Sequence, residues 1–98
     1  MRIVIVGCGK IGHSILQSLI SEGHEIVVVD NDREVIDNVT TSYDVMGICA
    51  AGTHFNTLSD ADVGSAELFI AATGSDEINM LSCFLAKRMG ARHTVARI

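Results

Sequence analysis

Gly7, Gly9 and Gly12 stand between an apolar run, Arg2-Ile3-Val4-Ile5-Val6, and a segment of helical periodicity that begins at Lys10. No other feature constrains the fold as strongly. A short β-branched run is the pattern of a strand buried on both faces. Beyond the glycines, Ile11, Ile15, Leu16, Leu19 and Ile20 recur on one helical face, with His13, Ser14, Gln17 and Ser18 on the other. A G-x-G-x-x-G motif by itself is weak evidence. Here it follows a strand and opens a helix, and an acid, Asp30, follows Gly12 by 18 residues at the end of the next apolar run, Glu25 to Val29. In that setting the pattern is the fingerprint of a dinucleotide-binding turn. Gly7 allows the tight turn, Gly9 lets the backbone approach a pyrophosphate, and Gly12 lets helix and strand pack closely. The helix N-terminus offers free N–H groups to phosphates.

The rest of the chain repeats the alternation. Glu22-Gly23-His24 ends the first helix, with Gly23 suited to a left-handed cap. Asn31 and Asp32 can cap a second helix carrying Val35, Ile36 and Val39. Val45 to Cys49 reads as a third strand, Phe55 to Ala61 as a short helix, and Glu67 to Ala72 as a fourth strand. Ser75 can cap a long helix from Asp76 to Met89, with Ile78, Leu81, Phe84 and Leu85 expected inward. Asp76 and Glu77 at its start and Lys87 and Arg88 at its end suit the helix dipole, and Gly90 stops it. Thr94 to Arg97 reads as a fifth strand. Unbroken alternation of strand and helix predicts an α/β fold: a Rossmann-type, doubly wound parallel sheet with helices on both faces. A sixth strand usually follows in such domains, so residues 1–98 read as one domain truncated after its fifth strand.

Composition removes several function classes. Seven basic against twelve acidic side chains give a net charge of -5 and a pI near 5.1, which repels a nucleic-acid backbone. Four aromatic residues, Tyr43, Phe55, Phe69 and Phe84, are too few for a base-stacking platform. The apolar runs are far below the ~18–20 residues of a membrane span, and the first is too short for a signal peptide. Both points predict a cytoplasmic protein with no direct membrane insertion. Cys8, Cys49 and Cys83 are odd in number and widely spaced, and read as buried thiols. Cys8 lies near a helix N-terminus, a setting that can lower a thiol pKa, but with no nearby base it reads as a small residue facing the core or the ligand. His13, His24, His54 and His93 fall on different elements without metal-ligand spacing, and no catalytic constellation emerges.

The candidate ligand residues therefore cluster around the glycine turn. Asp30 is placed to accept hydrogen bonds from ribose hydroxyls. A 2′-phosphate about 4 Å from its carboxylate would meet ~4 kcal/mol of repulsion per unit charge at an effective dielectric of 20, which favours NAD over NADP. Asn31 and Arg33 flank it, and Arg33 either softens that repulsion or balances Asp30 or Asp32. Lys10 either reaches phosphates or is a solvated lysine of the first helical turn. Thr73 and Gly74, ahead of Asp76, lie after the fourth strand, where they either border the ligand's far end or form a capped loop.

Ile3-Val4-Ile5-Val6-Gly7-Cys8-Gly9-Lys10-Ile11-Gly12, then Val28-Val29-Asp30, then Ala71-Ala72-Thr73-Gly74-Ser75-Asp76-Glu77-Ile78-Asn79-Met80, and finally Val95-Ala96-Arg97-Ile98 together resemble one family. It is the N-terminal domain of Trk/Ktr potassium-uptake regulatory subunits, also called the KTN or RCK N-terminal domain. The resemblance covers essentially the whole chain. It implies a domain that binds NAD or NADH, or in some members ATP, ADP or AMP. It implies a homodimer or higher ring on the cytoplasmic face of a membrane potassium channel or transporter subunit, which ligand exchange gates. Carried over by motif, Gly7, Gly9 and Gly12 line the pyrophosphate, Lys10 faces phosphates, Asp30 holds the ribose, and Thr73, Gly74 and Asp76 border the far end, with Cys8 and Ile11 of the glycine turn also among the expected cofactor-binding residues. Where the family commonly has Gly-Asp after the third strand, this chain has Ala50-Ala51, which removes a carboxylate acceptor from the adenine side. The alternative reading of the same motif is the cofactor-binding part of an NAD-dependent dehydrogenase.

Overall fold

The computed structural model describes all 98 residues. Five strands, β1 (Arg2–Val6), β2 (Glu25–Asp30), β3 (Met46–Cys49), β4 (Leu68–Ala71) and β5 (His93–Ala96), form one parallel sheet. Four α-helices connect them: α1 (Lys10–Ile20), α2 (Arg33–Ser42), α3 (Phe55–Asp60) and α4 (Asp76–Arg88). The sequence expectation of a Rossmann-type parallel sheet is met. A 3-10 turn at Val63–Ser65 leads into β4.

The spatial order is β3-β2-β1-β4-β5. From β1 the chain winds outward through β2 and β3, then returns to the other side of β1 for β4 and β5. The order reverses between β1 and β4, and the carboxyl ends of these strands open a crevice where ligands bind in folds of this kind.

Strand pleating assigns the core residues to two layers. Val4, Val6, Val27, Val29, Phe69 and Ala71 face α3 and α4, and meet Leu58, Val63, Cys83 and Ala86 there. Ile3, Ile5, Ile26, Val28 and Ile70 face α1 and α2, and meet Leu16, Ile36 and Val39. The sheet is thus apolar on both sides, which explains the uninterrupted β-branched runs of β1 and β2.

Local chemistry sets the helix ends. The Asp32 carboxylate accepts the Glu34 N–H at 3.0 Å and caps α2. The Ser75 hydroxyl accepts the Ile78 N–H at 3.3 Å and caps α4. Gly23 takes φ +78 after α1, as a left-handed cap requires.

The facing of α4 differs from the sequence expectation. Asn79, Ser82, Cys83 and Ala86 are its buried residues, while Ile78, Leu81 and Phe84 are 41%, 48% and 59% exposed. Of the four residues expected inward only Leu85 packs against the core, and it does so partly. The buried set follows its own i, i+3, i+4, i+7 spacing. Its small side chains let the helix lie close on β4 and β5, and bulky residues there would hold it off. The larger apolar stripe is rotated toward solvent.

Candidate functional site

The turn between β1 and α1 is built on backbone geometry that only glycine supplies. Gly7 has φ +90, in the left-handed region, and a Cβ there would meet the Thr73 nitrogen at 2.8 Å. A Cβ at Gly12 would run into the Gly7 carbonyl oxygen. Gly9 differs from both. A Cβ on it would find nothing within 4 Å, so this position faces open space. Gly9 is also the N-cap of α1 and has no side chain to satisfy the first N–H groups of the helix. Those donors stay free for an anion in the crevice.

The crevice is an open cleft of about 670 Å³ along the carboxyl ends of the strands. Gly7, Gly9, Lys10 and Ile11 form its floor, and Asp30, Asn31, Ala50 and Ala51 its β2–β3 side. Thr73 and Gly74 close the β4 side. These are ten of the positions expected from the motif, now gathered around one space.

Four expected positions stand apart from it. The Cys8 side chain is buried in the α1–α2 layer of the core. Gly12 is buried against the turn itself. Arg33 points along α2 and approaches Asp37 at 4.0 Å, not Asp30 or Asp32. Asp76 is exposed in the first turn of α4 and does not line the cleft.

The Cys8 side chain faces the core, one of the two placements expected for it. Burial and the neighbouring Asp30 carboxylate push its pKa up to about 11, the reverse of the lowering that a helix N-terminus favours. Cys83 is pushed up as well, chiefly by burial. Neither is placed to act as a thiolate.

Asp30 has a structural task beside its place in the cleft. Its Oδ2 accepts the Cys8 N–H at 2.8 Å and its Oδ1 accepts the Asp32 N–H at 2.9 Å. The carboxylate thus joins the glycine turn to the end of β2. An ionised carboxylate has about four lone-pair sites, so acceptor capacity remains for ligand hydroxyls.

The structure adds cleft residues that the motif does not contain. Gly52 and Thr53 extend the Ala50-Ala51 wall, and Asp32 adds a second acid beside Asp30. Arg97 enters from the end of β5. The available sequence signal for Arg97 was its position at the end of the fifth strand, in a parallel sheet whose carboxyl ends all face one crevice. Lys10 and Arg97 are the cations of the cleft, and Asp30 and Asp32 its acids. The two signs come from different strands, so the cleft is electrostatically polar from β2 toward the β1–β4–β5 side. No group of three or more His, Cys, Asp or Glu side chains is arranged to hold a metal ion.

Residues 3–98 match the profile of the TrkA-N domain. A protein of Methanothermobacter thermautotrophicus named as a Trk system potassium uptake protein TrkA homolog is 37% identical over 98 residues, covering 100% of this chain and 45% of that protein. The chain spans less than half the length of the curated relatives it matches. Among solved structures, the Kef CTD of Shewanella denitrificans in AMP-bound form superposes with a TM-score of 0.82 at 15% identity, covering 97% of this chain and 57% of that one. The NAD(P)-binding domain of an exopolyphosphatase-related protein from Archaeoglobus fulgidus gives 0.81 at 16% identity, over 95% of this chain and 70% of that one. At such identities the structural likeness establishes the fold alone. The profile match is of another kind: it runs through the glycine turn, Asp30 and the Thr73–Arg97 wall, and by it this chain belongs to the TrkA-N domain family.

Proposed function

We propose that this chain is a nucleotide-sensing regulatory domain of a potassium uptake system. It holds NAD or NADH in the cleft, with ATP, ADP or AMP as the alternative ligands. The observation that carries the reading is the polarity of the cleft. Free helix N–H groups and Lys10 stand at the glycine turn, and the Asp30 carboxylate stands at the end of the next strand. A nucleotide has the complementary arrangement, an anionic phosphate chain joined to a ribose diol. The relatives named as Trk potassium uptake proteins support a role in regulating transport, and they favour it over the cofactor-binding part of a dehydrogenase.

The partner in this reading is a membrane potassium channel or transporter subunit, which the domain meets at its cytoplasmic face. No helix of the structure is long and apolar enough to cross a membrane. The domain acts as a homodimer or a higher ring. Leu81 and Phe84 on α4 and Val95 on the edge strand β5 supply exposed apolar surface for such contacts.

Calorimetric titration of the purified chain with NAD, NADH, NADP, ATP, ADP and AMP tests the ligand assignment. Saturable binding of NAD(H) or an adenine nucleotide, with NADP weaker than NAD, is the expected result. Absence of binding by all six overturns the reading.

A further inference from the structure

Asn79 is fully buried in α4 and every hydrogen-bonding position of its amide is used. Its Oδ1 accepts the Thr73 N–H at 2.9 Å and the Thr73 hydroxyl at 2.7 Å. Its Nδ2 donates to the Thr73 carbonyl at 3.1 Å and to the Arg97 carbonyl at 2.8 Å. One side chain therefore binds three segments: α4, the loop between β4 and α4, and the end of β5. All three contribute to the cleft, since Ile78 of α4, Thr73 and Arg97 all line it.

Arg97 closes the circuit. Its N–H donates to the Ala71 carbonyl at 2.9 Å, and its Nη1 donates to the Thr73 carbonyl at 3.3 Å. The guanidinium contact is the longest bond of the set, and the remaining N–H donors of the fork are uncommitted. An anionic group in the cleft competes well for such a cation, because charge-assisted hydrogen bonds are about twice as strong as neutral ones. The four Asn79 bonds converge on a fully buried amide and do not involve the Arg97 side chain, so they hold Thr73 to the Arg97 backbone whichever way that guanidinium turns.

We propose that Asn79 is a positioning residue that couples the nucleotide cleft to the carboxyl end of β5. The inference rests on the nucleotide reading above for its ligand, but the mechanical link itself is a property of the unliganded chain. Displacement of Thr73 carries Asn79 with it, and Asn79 carries the Arg97 backbone. By linkage the effect is reciprocal: a ligand that settles the Thr73 loop settles the end of β5, and loosening the end of β5 weakens the ligand.

Asn79→Asp is the informative variant. It keeps size and shape. At pH 8.5 its carboxylate faces the Thr73 and Arg97 carbonyls with no proton to donate. At pH 5 the protonated acid restores one donor. Hydrogen exchange is read by segment on the full chain, each variant against the unmutated protein at the same pH. Without nucleotide, the variant at pH 8.5 is expected to exchange about tenfold or more faster in both the 72–75 and the 95–98 segments, with β1 and β2 unchanged, and to recover in part at pH 5. Faster exchange in 72–75 alone overturns the coupling. Faster exchange throughout the sheet also overturns it, because that is the signature of a merely structural role. Should circular dichroism show Asn79→Asp unfolded, Thr73→Val removes the hydroxyl bond to Asn79 together with the hydroxyl's local bonds to Ser75, so the 95–98 segment, which holds no partner of that hydroxyl, is the readout: faster exchange there supports the coupling and unchanged exchange there overturns it. Addition of ATP or NADH to the unmutated chain should then slow both segments. Failure of both probes to bind by calorimetry counts against the nucleotide reading, and the ligand-free comparison still decides the coupling.

Discussion

The Asp30 carboxylate accepts the Cys8 N–H at 2.8 Å, which fastens the glycine turn after β1 to the end of β2. The acid at this place is thus a strut as well as part of the cleft lining, where the proposed ribose contact would fall. The two roles are separable because they use different lone pairs. The Cys8 and Asp32 N–H groups take one site on each oxygen, which leaves acceptor capacity on the cleft-lining carboxylate.

Asp30→Ala is accordingly expected to have two effects. Loss of a charge-assisted bond to a partly buried N–H should lower stability by ~1–3 kcal/mol, measured by urea unfolding. Loss of the negative charge should narrow the preference for NAD over NADP in calorimetry. A variant with unchanged stability would contradict the strut, and an unchanged preference would contradict the ribose contact.

Gly9→Ala and Gly12→Ala should behave as opposites although they lie three residues apart. The added methyl at position 9 meets no protein atom, so stability should stay within ~0.5 kcal/mol while NAD or ATP affinity falls at least tenfold. The added methyl at position 12 meets the Gly7 carbonyl oxygen in a packed turn, and stability should fall by ~3 kcal/mol. Thermal melts alongside titrations separate the two outcomes.

Most of this architecture was legible in the sequence, and the reasons are particular. Buried parallel strands announce themselves as β-branched runs, and the glycine turn carries its own spacing. Asp30 could be found because a strand-end acid has a fixed distance from the third glycine. The facing of α4 was not legible from apolar spacing. Ile78, Leu81 and Phe84 have helical periodicity, but the sheet is met instead by Asn79, Ser82, Cys83 and Ala86, whose smallness permits close approach. Hydrophobicity marks a face that can be buried; it does not say against what. Arg33 was drawn into the site by nearness in sequence and Asp76 by the family resemblance, yet each stands in the first turn of a helix and neither lines the cleft. Arg97 was missed as a cleft residue for the complementary reason, since it reaches the cleft only through the order of strands in the sheet.

The Cys8 thiol gives a pH dependence with a definite sign. Its folded-state pKa lies near 11, above the ordinary thiol value of 9.0. The unfolded chain therefore loses this proton first as pH rises, and the folded state binds more protons in between. Stability contributed by the protonated thiol is complete below pH 9 and is lost as pH climbs through about 11. Urea midpoints should fall across that window, and less steeply in Cys8→Ala. Cys83 is raised in the same direction and supplies part of the remaining slope. Near neutral pH, Cys8 should resist alkylation in the folded chain, whereas the half-exposed Cys49 should react.

The rotated face of α4 makes the last prediction. Leu81 and Phe84 are 48% and 59% exposed, and Val95 on the neighbouring edge strand is 52% exposed. Polar substitution of such residues costs a folded monomer little, because they bury little within it. If this surface joins copies of the chain, the same substitution is costly to the assembly, since it places charge inside an apolar contact. Leu81→Glu and Phe84→Glu should thus leave the urea midpoint of the dissociated chain within ~0.5 kcal/mol of the original. In sedimentation at micromolar concentration the unmutated chain should run as a dimer or larger, and both variants should shift toward monomer. A Phe69→Ala control, altering a fully buried residue of the core, should instead lower stability by ~3–5 kcal/mol. An unmutated chain that sediments as a monomer with and without nucleotide would refute the assembly. An oligomer indifferent to both charges would place its interface elsewhere.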